Sequence, residues 1–304
     1  MKENLIVTNS FQPWILGARP KTLPAAISPI LIGIGIAVYY NSFRLAPALA
    51  ALVCAIFIQI GTNYVNDVVD YLNGHDQTDR LGPLRVTQAG LLSSKQVIFG
   101  AVASFGVAII AGLYLATVAG WIVLIIGAAC ILAGLAYSTG PAPLINNGLA
   151  DLFVLVFFGF VAVVSTVFVI TAFIPPESWL GGLAAGALSV NILVVNNIRD
   201  VVSDKRAGRK NIPVLYGRRA GEKEYLVMLA IAYLVPLAMF FILHLQPWVL
   251  VTYLTLPVAI KNFRELKRTP DGKLLNLQLA KTAQMVFVYS AVMTGGFLLG
   301  RFLG

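Results

Sequence analysis

The sequence predicts an all-α membrane protein, a bundle of nine transmembrane helices with its N-terminus in the cytoplasm. Three observations carry this. Hydrophobic residues make up 58% of the 304 and charged residues only 12%, whereas a soluble domain is about a quarter charged. So little polar surface does not cover a ball in water, and lipid is the expected solvent. Apolar segments long enough, or nearly so, for a hydrocarbon core of about 30 Å recur along the whole chain. Finally, 20 of the 22 Lys and Arg fall on one side of the expected hairpins, with only Arg44 and Arg301 on the other. Cytoplasmic loops collect Lys and Arg, so this side is inside. The same asymmetry accounts for the net charge of +9 as topology, without nucleic acid.

The segments run 22–41, 46–66, 97–117, 121–138, 149–172, 178–197, 225–244, 247–261 and 283–303. The eighth is the shortest and carries Pro257. The N-terminus lacks a signal-peptide core with a small-residue cleavage site, so the first helix is expected to be retained. Connections on the outer side are short. Those near 67–96, 198–224 and 262–282 are long and polar. Cys54 and Cys130 both sit in apolar runs and read as neither a disulfide nor a metal pair. His75 and His244 are too far apart in sequence to make a ligand cluster.

The second segment ends in "NYVNDVVDYLNGHDQTD", residues 63–79, with four aspartates in seventeen residues. At 100° per residue, Asn63, Asp67 and Asp70 lie within about 60° of one another. Shifting the chain by 133 lays "NNIRDVVS" over "NYVNDVVD", with Asn196 on Asn63 and Asp200 on Asp67. Asn196, Asp200 and Asp204 span about 80° on their helix. The chain therefore reads as one domain, 1–304, with two pseudo-repeats bearing motifs at 63–79 and 196–210. Clustered acids at a membrane helix end are costly unless something positive fills them. Oxygen donors without His or Cys suit a hard cation, Mg²⁺ above all, which takes one or two carboxylates and completes its shell with water and phosphate. Asp67, Asp70, Asp200 and Asp204 are the expected metal-binding and catalytic residues. The long loops that follow fit lids, and Arg85, Lys205, Arg209 and Lys210 are expected to hold diphosphate oxygens. Asp151 is expected to cap the fifth helix and to face the positive end of its dipole.

The stretches "NDVVDYLNGHDQTDRLGPLRVTQAG", "NNIRDVVSDKRAGRKNIPVLYG", "ARPKTLPAAISPILIG" and "LNLQLAKTA" resemble the UbiA superfamily of intramembrane aromatic prenyltransferases. "DRLGPLR", "TQAG" and "SDKRAG" look most like the branch that prenylates 1,4-dihydroxy-2-naphthoate in menaquinone synthesis. The resemblance implies a nine-helix bundle with a polar cavity facing the cytoplasm, in a bacterial-type cytoplasmic membrane. It implies that Asn63, Asn66, Asp67 and Asp70 match the first motif, and Asp200 and Asp204 the second. It further implies Mg²⁺, a polyprenyl diphosphate and an aromatic acid as cofactor and substrates, with no nucleic-acid partner. Many members have a third aspartate where this chain has Gly74; Asp76 is the nearest acid and the expected substitute as a metal ligand. Tyr137 is expected to face an allylic cation, and Arg19 or Lys21 to contact the aromatic acid. Other acceptors within the superfamily (4-hydroxybenzoate, homogentisate or chlorophyllide) are the near alternative. A secondary transporter is the distant one, but it would place charges near the midplane.

Overall fold

The computed structural model describes residues 11–72, 81–139, 143–270 and 272–304, and among them every regular element is helical. In chain order these are α1 (Gln12–Ala18), a 3₁₀ turn (Pro20–Thr22), α2 (Leu23–Tyr39), α3 (Leu45–Leu72), α4 (Ser94–Ala119) and α5 (Ile122–Ser138). Then follow α6 (Ala150–Leu155), α7 (Ala162–Thr171), α8 (Pro176–Arg206), α9 (Ile212–Tyr216), α10 (Arg218–Phe241), α11 (Leu256–Arg268) and α12 (Leu275–Phe302).

Seven helical stretches are long and apolar enough to cross a membrane: Gln12–Tyr39, α3, α4, Ala150–Thr171, α8, α10 and α12. Two of the nine expected spans differ. The fourth is helix α5, apolar but only 17 residues long. The eighth starts as a 3₁₀ helix, Pro247–Thr255, and becomes α-helical only at Leu256. Pro257 sits at the start of that α-helical part, where its missing N–H costs nothing. Asp151 lies inside the first turn of α6, where an acid suits the helix dipole, but the cap position itself is held by Leu149.

Helix α8 is the axis. Buried residues fill 78% of its most apolar window, more than in any other candidate span. At 1.5 Å per residue its 31 residues run about 46 Å. Its neighbours come close because the contact is built from glycine. A Cβ on Gly159 would stand 2.4 Å from the Gly182 carbonyl oxygen and 2.7 Å from the Gly186 Cα. Small residues let membrane helices pack backbone to backbone. The chain passes this point as a π-turn, Val156–Val161, between α6 and α7.

Side chains close two further helix ends. Ser93 and Gln96 form a reciprocal capping box at the start of α4. Arg44, one of the two arginines at the opposite end from the acids, donates from Nε and Nη2 to the carbonyls of Ile170 (2.6 Å) and Val169 (3.0 Å). These are end-of-helix carbonyls of α7 that have no partner within the helix.

Candidate active site

Helices α3, α4, α5, α7 and α8 surround a cavity of about 1330 Å³, beyond the roughly 300–1,000 Å³ of ordinary small-molecule sites. One end is polar: Asn66, Asp70, Arg85, Asp200, Asp204 and Arg209 all line it. The remainder is apolar and continues past Ala55 to Ala51, Leu115 and Val169, near the opposite ends of their helices.

At the polar end each cavity-facing acid has an arginine. Arg209 joins the two sequence motifs: its Nη1 donates to Asp204 Oδ1 at 2.9 Å, and its Nη2 stands 3.7 Å from Asp70 Oδ1. Burial alone lowers the pKa of this guanidinium, but Asp204 and Asp70 more than offset it and the value is raised. Asn211 holds the other oxygen of Asp204 at 2.9 Å. Arg85, buried in the loop before α4, pairs with Asp70 Oδ2. Asp200 is gripped from beside itself: Arg199 donates from Nε to Oδ1 (2.8 Å) and from Nη2 to Oδ2 (2.5 Å). Asn66 Oδ1 accepts from the Ser138 hydroxyl on α5 at 2.5 Å. Tyr137 lines the cavity one residue earlier, with Phe153 beside its ring at 6.0 Å.

Several of the expected residues lie differently from one another. Asp67 is fully buried and does not line the cavity. Its carboxylate accepts the backbone N–H groups of Val86 (Oδ2) and Thr87 (Oδ1), both at 3.0 Å. These two donors belong to a tight turn in which Leu91 N–H bonds the Val86 carbonyl and Gly90 takes φ +69°, a conformation that favours glycine. Asp67 thus anchors the turn carrying Arg85. Asn63 lines the cavity, but its amide nitrogen is spent on the Ala18 carbonyl (2.9 Å) and the Thr22 hydroxyl (3.2 Å). It fastens the elbow between α1 and α2 that places Arg19 and Lys21 on the cavity wall. Lys205 and Lys210 are exposed and absent from the wall, whereas Arg206 is on it. Asp76 lies outside the described residues.

The cavity-lining residues of α3 and α8 recur at a sequence offset one greater than the offset of 133 that aligns the two motifs. Cavity-lining positions pair at an offset of 134: Ala55 with Ser189, Ile58 with Ile192, Thr62 with Asn196, Asn66 with Asp200, Asp70 with Asp204. One residue on a helix is a 100° rotation, which turns Asp67 away from the partner it has at offset 133.

Sequence reasoning missed two residues that line the polar end of the cavity. Arg199 carries Asp200 and, through Nη1, the Asn276 side-chain oxygen (2.8 Å); Asn276 Nδ2 in turn donates to the Leu81 carbonyl (2.7 Å). The signals were an arginine directly before the motif acid and an asparagine inside the apolar run "LNLQLAKTA".

Among the described residues no three His, Cys, Asp or Glu side chains converge as a ready-made metal cluster. The donor set nonetheless fits Mg²⁺. Asn66 and Asp70 from α3, and Asp200 and Asp204 from α8, are oxygen donors that line the same cavity. A cation that draws the rest of its shell from phosphate and water needs only one or two carboxylates.

A long apolar cavity capped by carboxylates and arginines, in an all-helical membrane bundle, defines a site for an amphiphile with an anionic head. The UbiA prenyltransferase family matches residues 26–291, and the chain belongs to that family. It is an integral membrane enzyme that transfers prenyl groups. It is 33% identical over 295 residues to the 1,4-dihydroxy-2-naphthoate octaprenyltransferase of Mycobacterium tuberculosis, covering 96% of this chain and 99% of that one. The protein of that name from Escherichia coli is 31% identical over 299 residues, covering 96% of each. In fold, the chain is similar to a UbiA homolog from Archaeoglobus fulgidus bound to GPP and Mg²⁺. The TM-score is 0.68 at 16% identity, over 94% of this chain and 99% of that chain.

Proposed function

We propose that this enzyme transfers a polyprenyl group from polyprenyl diphosphate to 1,4-dihydroxy-2-naphthoate, releasing diphosphate and CO₂ and giving demethylmenaquinol, the reduced form of demethylmenaquinone. The acceptor assignment is supported by the names of the relatives that match nearly end to end. The diphosphate assignment rests on one observation: Asp70 and Asp204, 134 residues apart in sequence, meet on the guanidinium of Arg209 at the head of an apolar cavity.

The reading extends to cofactor and topology. Asn66, Asp70, Asp200 and Asp204 would hold Mg²⁺, which when bound would supply positive charge to the diphosphate and make it a better leaving group. Arg85 and Arg209, which neutralise these acids in the protein alone, turn their N–H groups to phosphate oxygens, a match for guanidinium geometry. Arg199 keeps Asp200 in place. The allylic C–O bond breaks and its electron pair leaves with the diphosphate. The apolar wall excludes the water that would quench the cation, and the Tyr137 ring face stabilises it. The electron-rich naphthoate ring attacks at the carbon bearing its carboxylate, a C–C bond forms, and CO₂ leaves with the ring's aromaticity restored. Arg19 and Lys21 hold that carboxylate beforehand. The bundle crosses the membrane nine times, with α5 and the Pro247–Arg268 segment as the two short crossings. The acid end faces the cytoplasm.

The test is purified protein with Mg²⁺, octaprenyl diphosphate and a panel of aromatic acids, products read by mass. Decarboxylated prenyl-naphthoquinol as the main product is expected. Preference for 4-hydroxybenzoate or homogentisate would move the enzyme to another branch.

A further inference from the structure

We propose that Gly127 on α5 and Gly112 on α4 set the longest isoprenoid tail this cavity accepts. The proposal rests on prenyl transfer and adds a residue-level gauge of tail length. The depth of each glycine follows from contacts along α3. A Cβ on Gly134 would meet the Thr62 hydroxyl, so α5 at 134 is level with α3 at 62. Seven residues further from the acids, Gly127 is level with Ala55. That level is fifteen residues from Asp70, or about 22 Å at 1.5 Å per residue. Similarly, Cys54 Sγ lies 3.3 Å from the Ala108 carbonyl, so Gly112, one turn beyond Ala108, is level with about Ala51. That is nineteen residues, or about 28 Å, from Asp70. Both glycines line the cavity, and a Cβ built on either finds no atom within 4 Å. Two side chains are thus missing from the wall of the far half, where a short tail does not reach and a long tail must pass. Gly134 differs: it is closed by Thr62 and leaves no such space.

The test replaces each glycine by phenylalanine. Gly106→Phe is the control, because Gly106 is also on α4 with open space around it but does not line the cavity. Binding is read as thermal stabilisation by geranyl or octaprenyl diphosphate with Mg²⁺ and no acceptor. Turnover is read by mass with both donors mixed. Gly127→Phe and Gly112→Phe are expected to lower the octaprenyl-to-geranyl ratio at least tenfold in both readouts. Geranyl binding should stay within about twofold of wild type, and Gly106→Phe should leave the ratio unchanged. A wild-type ratio in both variants would overturn the gauge and mean the tail leaves sideways before this depth. Equal loss of both donors in folded protein would overturn it too, marking the glycines as packing residues. Discrimination in binding without product from any aromatic acid would leave the gauge standing and remove the acceptor assignment.

Discussion

Replacing Asp67 by asparagine separates an anchoring acid from a metal ligand. The wild-type carboxylate offers one oxygen to each of two buried donors, Val86 N–H and Thr87 N–H, at 3.0 Å. The amide retains one acceptor and turns its own N–H₂ toward the second donor. Hydrogen bonds to a charged acceptor contribute roughly 1.5–3 kcal/mol, and a stranded buried donor costs about 1–3 kcal/mol. A net loss of about 2–3 kcal/mol in holding the turn is expected, which is about 30–150-fold in its opening equilibrium. The assay is hydrogen exchange by mass on peptides spanning 84–92, alongside the Mg²⁺ concentration for half-maximal activity. Exchange should speed up by that factor. Turnover should fall because Arg85 no longer sits at Asp70, while the Mg²⁺ requirement should stay within about threefold. Unchanged exchange with a strongly raised Mg²⁺ requirement would refute the anchor and make Asp67 a metal ligand.

Three further outcomes are expected. Excess EDTA should abolish prenyl transfer and added Mg²⁺ should restore it; full turnover in chelator would remove the metal from the reaction. Lys205→Gln and Lys210→Gln, both exposed and off the cavity wall, should change turnover by less than about threefold, under roughly 1 kcal/mol in the barrier. Arg209→Gln should cost far more than either, and equal effects would mean that only the summed positive charge matters. In a Cys54→Ala, Cys130→Ala background, an impermeant maleimide outside intact cells should label Phe302→Cys and spare Lys267→Cys; the reverse pattern would invert the topology.

Composition and apolar run length were enough to read the helical membrane class, because lipid leaves the backbone of a spanning segment few options. They did not reveal that the eighth segment begins as a 3₁₀ helix, since an apolar run has the same composition in either helix type. The acids were legible as a class but not as individuals. Asp67 and Asp70 stand on the same arc of a helical wheel, yet one accepts from a backbone turn and the other faces the cavity. The decision was made by residues 86 and 87, nineteen and twenty positions away. Matching "NYVNDVVD" to "NNIRDVVS" by identity chose the offset 133, because three valine and aspartate matches outweighed the geometry. The residues that line the cavity recur at 134 instead, Asn66 and Asp200 as well as Asp70 and Asp204. Lys205 and Arg209 were equal candidates by charge, and only the turn after α8 sorts them, with Arg209 N–H bonding the Asp204 carbonyl at 2.9 Å.

Calorimetric binding of geranyl diphosphate across a Mg²⁺ series, in wild type and in Asp70→Asn and Asp200→Asn, tests the central claim most directly. That claim is that Asn66 and Asp70 of α3, with Asp200 and Asp204 of α8, hold a metal-bound diphosphate. Wild-type binding should require Mg²⁺ and disappear with chelator. Each variant should fold and lose at least tenfold in affinity, with the loss largest at low Mg²⁺. Binding that is independent of Mg²⁺, or unchanged in both variants, would contradict the account.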